Sequence, residues 1–204
     1  MLSNKTIKRF FIVALLLIVS CSDKSEKIPA LNYEDKKQML EITKKFFDEN
    51  TSLAFGGVFD ESGKETIIAG IEKNDKSEWG IKFYQLRLND NKLEVVFETN
   101  LLNGSFKESF VDKIKFPRRD YELIYYNSQG YFMGSGGGEV ISYIIDFGKK
   151  EVYYAHLVAD PVVPPSLFIS KNTQDKNISE FFTLTLKKII QNFALLMKTL
   201  LWID

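Results

Sequence analysis

Cysteine and histidine each occur once in the 204 residues, as Cys21 and His156. A single cysteine excludes an intramolecular disulfide. Zinc sites draw several ligands from histidine and cysteine, and with one of each this chain is not expected to build one. A Ser-His-Asp triad needs a histidine. His156 is the only one on offer, and no G-x-S-x-G elbow accompanies it. Charge of one sign is also missing, since 27 basic side chains face 27 acidic ones. That balance argues against a nucleic-acid partner, whose binders are basic. The P-loop lysine is absent, and Asn89-Asp90-Asn91 lacks the glycine and distal glutamate of an EF-hand. No cofactor is implied. No internal repeat stands out.

What is present begins at the first residues. Lys5, Lys8 and Arg9, with no acidic neighbour, precede the unbroken apolar run Phe10–Val19. A cationic stretch followed by a short apolar one is the pattern of an export signal. The run is about half of the ~20 residues that a spanning helix needs. It closes in Ile18-Val19-Ser20-Cys21: a branched apolar residue, a variable one, a small one, then cysteine. This resembles the lipobox of bacterial lipoproteins. The resemblance covers residues 1–21. It implies a diacylglyceryl group on the Cys21 sulfur, cleavage just before Cys21 and a membrane partner reached through that lipid. Ser22 stands where aspartate in enterobacterial lipoproteins implies inner-membrane retention, so by resemblance the outer membrane is favoured. Lipidation also accounts for a lone cysteine in an exported chain.

Residues 21–31 then read as lipidated cysteine and polar tether, closed by Pro29. Without Lys5, Lys8 and Arg9 the balance becomes 24 basic against 27 acidic side chains. Residues 32–204 suit one domain by length. Its 9 tyrosines and the phenylalanines that remain of the 17 imply an aromatic core.

The pattern predicts an α+β domain, with antiparallel hairpins flanked by an N-terminal and a C-terminal helix. Asn32 is expected to cap the first helix, whose stripe is Tyr33, Met39, Leu40, Thr43, Phe46 and Phe47, ending near Asn50. Strands are expected at 53–59, 66–71, 79–88, 93–99, 122–127, 140–147, 151–158 and 167–169, joined by turns such as Asn89–Lys92 and Gly148–Lys150. Residues 106–116 fit a strand or a short helix. Asn177 or Ser179 is expected to cap the last helix, with Phe182, Leu186, Ile189, Phe193, Met197 and Leu200 on one stripe. Its apolar end, Phe193–Trp202, belongs either to the core or to a docking surface.

One region is unusual enough to be a candidate binding site: Tyr131, the glycine run with Gly134, Gly136, Gly137 and Gly138, and His156. Glycines let backbone approach a ligand, although here they lead into a strand rather than a phosphate-binding helix. Tyr121, Tyr125, Tyr126, Tyr131, Tyr143, Tyr153 and Tyr154 cluster around this region, and on alternating strands about half are expected to point inward. The others could stack on sugars or anchor a protein. His156 is expected on the strand face of Val152, Tyr154 and Val158. The first functional expectation is a non-enzymatic, envelope-tethered binding or inhibitor module with a protein or glycan partner. The alternatives are a glycan or peptide hydrolase using carboxylates the sequence does not identify, and an assembly protein docking through the last helix.

Overall fold

A computed structural model describes residues 28, 30–47, 51–74, 79–107, 109–131, 137–160, 164–170 and 175–200; the side chains of 131 and 192–200 lie outside that description. The expected export signal, Cys21, most of the tether, Gly134, Gly136 and the side chains of the apolar end of the last helix fall outside it as well.

The elements run α1 (Lys36–Phe46), β1 (Thr51–Val58), β2 (Glu65–Asn74), β3 (Trp79–Asn89), β4 (Lys92–Glu98), β5 (Ser109–Ile114), β6 (Leu123–Tyr131), β7 (Gly138–Asp146), β8 (Glu151–Ala159), β9 (Ser166–Ile169) and α2 (Lys176–Leu200). The class is α+β with antiparallel hairpins and a helix at each end, as the pattern predicted. The strands divide into two meanders, β1-β2-β3-β4 and β5-β6-β7-β8-β9.

Alternation along the strands makes this division work. In β2, Ile67 and Ala69 join a cluster with Met39 of α1, while Ile68 faces the other way, toward Phe55, Phe83, Tyr126 and Tyr143. In β6 and β7, Ile124, Tyr126, Tyr143 and Ile145 face the first sheet. Leu123, Tyr125 and Ile144 face Ile178, Phe182 and Leu186 of α2. The order of layers is therefore helix, sheet, sheet, helix. Both faces of each sheet find apolar cover, so a strand such as Ile67-Ile68-Ala69 has little polar alternation to show.

Local chemistry sets the turns. Asp90 and Asn91 both have positive φ (46° and 62°), the mirror-image two-residue turn that matches strand twist and favours Asx residues. After β4 the chain pairs again with β3: Ile81 and Leu102 exchange both backbone hydrogen bonds, at 2.8 and 2.9 Å. The crossover to the second sheet therefore starts beside Trp79.

Two expected caps differ. The Asp35 carboxylate accepts from the Lys37 and Gln38 amides at 3.0 and 3.1 Å and starts α1, which stops at Phe46. Asn32 instead turns the preceding chain: its side chain accepts from Glu34 N, and its own N donates to Gln38 Oε1. At α2 the cap is Asp175, accepting from Asn177 N at 3.0 Å, rather than Asn177 or Ser179. In both cases an aspartate stands just before the first helical residue, where ionised oxygen meets free amides and the positive helix end. Residues 109–114 are a strand, which resolves the ambiguity over 106–116.

Candidate binding groove

A cavity of about 640 Å³ opens at one end of the sandwich, between the inner face of β6-β7-β8 and the crossover that follows Leu102. Among its lining side chains are Trp79, Lys107, Glu139, Tyr154 and His156. Its volume falls within the ~300–1,000 Å³ typical of small-ligand sites.

Its floor comes from strand register. Ile141 pairs with His156 across β7 and β8, and Glu139 lies two residues along on the same face. That diagonal is within reach of long side chains, and His156 Nε2 lies 2.7 Å from Glu139 Oε2. Both remain partly open to solvent. Tyr154 is on the same face of β8, its ring centroid 6.2 Å from the imidazole. Burial and the negative Glu139 carboxylate push the Tyr154 phenol up. His156 thus occupies the face expected of it.

Its other wall is the loop 103–107, and tyrosines of the facing sheet hold it. Tyr143 Oη accepts from Asn103 N at 3.2 Å. Tyr126 Oη donates to the Ser105 carbonyl at 3.0 Å. Glu72 accepts from the Ser105 hydroxyl and the Phe106 amide at 2.9 and 3.1 Å. Gly104 sits at φ 132°, and a Cβ there would lie 2.1 Å from Tyr126 Oη. Only glycine lets the loop settle this closely on the phenol. At the rim Trp79 is 56 % exposed, which frees its ring for contact.

The sequence-derived candidates are partly brought together. Gly138 opens β7, paired with Tyr131 on one side and Ala159 on the other, next to Glu139 and near His156. Gly137 is buried. Gly134 and Gly136 and the Tyr131 side chain lie outside the described residues. The tyrosine cluster corrects one expectation. Alternation does split the tyrosines between the two faces, yet both faces are interior, so Tyr121, Tyr125, Tyr126, Tyr143 and Tyr153 are all buried. Tyr154 is the described one left facing the groove. Trp79, Lys107 and the 103–107 loop were missed; the one local signal there, Asn103-Gly104, is that of a turn and says nothing of a ligand.

A second cavity, about 550 Å³, lies at Asp60, Arg118, Arg119, Tyr121 and Asp175. Its charges serve the fold. Arg119 bridges the fully buried Asp146 and the α2 cap Asp175, the latter at 2.7 Å. Burial opposes the charge on Arg119, but the bonds from Asp175 and Asp146 outweigh it and push the guanidinium up. Burial likewise opposes ionisation of Asp175 and Asp60. Hydrogen bonds outweigh it, from Arg119 and the α2 amides for one, and from Ser62 and Gln85 with the Arg87 charge for the other. Both carboxyls end below their ordinary range, the opposite of what a general acid at neutral pH requires.

Among the described residues no group of three or more His, Cys, Asp or Glu side chains is placed to hold a metal ion, and no helix is long and apolar enough to cross a membrane. No family model, curated protein or solved structure matches the chain.

Proposed function

We propose that this is a lipid-anchored cell-envelope protein, held through Cys21 at the outer rather than the inner membrane, whose mature domain is a non-enzymatic binding or inhibitor module. The observation that carries the reading is the ordered run of Lys5, Lys8 and Arg9, the apolar stretch, and Ile18-Val19-Ser20-Cys21. The tether would hold the domain clear of the headgroups, and the groove would be its ligand site. In support, the groove's walls are held by internal hydrogen bonds before any ligand arrives, which lowers the ordering cost of binding. The hydrolase reading needs converging carboxylates with a raised pKa; Asp60 and Asp175 move the other way. The assembly reading rests on the apolar end Phe193–Trp202, whose side chains lie outside the described residues; earlier in α2, Ile178, Phe182 and Leu186 are fully buried on the sheet.

The test is metabolic labelling with an alkynyl palmitate, followed by membrane fractionation. Wild type should take up label and pellet with membranes. Cys21→Ala should lose the label and the association, since one acyl chain is marginal and several hold firmly. Label retained by Cys21→Ala would overturn the reading.

A further inference from the structure

We propose that the groove at the end of the sandwich binds an uncharged saccharide, with Trp79 as its stacking platform and Glu139, His156 and the 103–107 loop as its hydroxyl-recognising wall. This rests on the reading of the protein as a binding module and names the ligand class of that site.

The chemistry of the lining selects the class. An aromatic ring face is available at the rim in Trp79, and Tyr154 lies inside. With them stand polar groups: the Asn103 side-chain amide, the Ser128 hydroxyl and the His156 imidazole, which can donate or accept, and the Glu139 carboxylate, which accepts. A sugar ring has the matching pair of surfaces, an apolar C–H face for the indole and an edge of hydroxyls for the polar wall. An acyl chain would leave the remaining hydrogen-bonding capacity of that wall unmet and out of water, at a cost for each group so covered.

Charge narrows the choice. Among the described residues Lys107 is the one lysine or arginine of the lining, and the Glu139 carboxylate shares the cavity with it. An anionic ligand such as a phosphate or acidic sugar would meet Glu139, and a cationic one would meet Lys107 and, when protonated, His156. An uncharged ligand meets neither penalty. The hydrogen bond between Glu139 and His156, 2.7 Å long, orients both groups and leaves each with further donor or acceptor capacity for hydroxyls.

Backbone topology disfavours a peptide. An extended peptide gains its affinity by pairing with an open strand edge. Here β7 is paired along its length with β6 and β8, and β8 is paired over Ala155–Val158 with β9, so the Glu139, Ile141 and His156 stretch of the floor has its backbone in the ladder on both sides. Along that stretch the cavity meets side chains rather than an open strand edge.

The experiment uses the full-length protein, extracted in a zwitterionic detergent without a sugar headgroup. It is applied to an array of glucans, chitin oligomers, peptidoglycan glycan strands and sulfated or uronic-acid glycans, with a peptide array in parallel. The expected result is retention on at least one uncharged glycan, little changed between low and high salt because no charge pair is screened. Trp79→Ala should weaken it at least about tenfold, as truncation of an aromatic anchor does, and Trp79→Phe should keep most of it. An exposed ring is dispensable for folding, so the melting temperature of Trp79→Ala should match wild type. His156→Gln should weaken the same interaction. Retention on acidic glycans alone, or binding indifferent to Trp79→Ala, would overturn the saccharide assignment. Trp79-dependent capture on the peptide array, with no glycan retained, would overturn it while leaving a binding module. No Trp79-dependent ligand of either class would overturn the groove as the binding site as well. The labelling of Cys21 reads the anchor separately from all of these.

Discussion

Removing Arg119 should cost more stability than removing any other charged side chain of the described domain. The guanidinium spans three places: the β7 end at Asp146, the α2 cap at Asp175 and the Tyr121 phenol, to which it donates at 3.0 Å. Asp146 has no solvent exposure. In Arg119→Met its carboxylate would keep the Tyr121 hydroxyl at 3.2 Å and the Lys149 amide at 3.0 Å, but no charged partner. Breaking a buried pair by deleting one member costs ~3–5 kcal/mol, mostly for the charge left behind. For a domain of this size each kcal/mol moves the melting temperature by ~2–4 °C, so the shift should be on the order of 10 °C. Thermal unfolding of the full-length protein followed by circular dichroism reads it. The double variant Arg119→Met/Asp146→Asn removes the stranded charge and keeps an acceptor for the Lys149 amide. It should recover about half the loss. An Arg119→Met melt within ~1 kcal/mol of wild type, or a double variant no better than the single, would refute the reasoning.

Three further outcomes follow from the same structure. Gly104→Ala should destabilise by about 1–3 kcal/mol, the range for forcing a Cβ into an unfavourable φ, and it should weaken ligand retention by the groove, because the loop must lift from Tyr126; an unchanged melt would contradict the described loop. Phe182→Ala should cost ~3–5 kcal/mol, since Phe182 is fully buried between α2 and the second sheet; a loss under ~1 kcal/mol in denaturant titration would contradict the packing of this part of α2 on the sheet. Asp60 and Asp175 have folded pKa values below their unfolded ones. Their stabilisation is complete above the unfolded value of about 3.9 and is lost as pH falls toward the folded values. Asp60→Asn/Asp175→Asn should therefore flatten the acid limb of a stability profile below about pH 4, and an unchanged slope there would contradict the assignment.

Much of the fold was legible because short-range chemistry writes it. Asp90-Asn91 and the Gly148–Lys150 turn placed two hairpins directly, and strand alternation put His156 on the face it occupies. The split into two sheets was not legible in the same way. In β4 a register shift puts Leu93 with the α1-side cluster and Phe97 with the inter-sheet cluster and leaves Val95 exposed, while Ile67-Ile68-Ala69 and Tyr125-Tyr126 are apolar on both sides. Periodicity alone cannot say which layer covers each face. The tyrosines were misjudged for the same reason: half of them do point away from the inter-sheet core, and α2 is waiting there. The Arg119–Asp146–Asp175 bridge joins residues far apart in the chain, so only the fold brings them together. The groove was half visible, in His156 and the neighbouring glycines. Trp79 and Asn103-Gly104 join it through the pairing of Ile81 with Leu102, a long-range contact that no local pattern records.

The anchor is the central claim, and the chemistry at Cys21 tests it most directly. Membranes from cells making the protein are delipidated, digested with trypsin and analysed by mass spectrometry. The account predicts a first peptide Cys21–Lys24 carrying an S-diacylglyceryl group, with no peptide from residues 1–20 attached to it. A peptide running intact through Ser20-Cys21, or a mature chain beginning elsewhere with an unmodified Cys21, would contradict it.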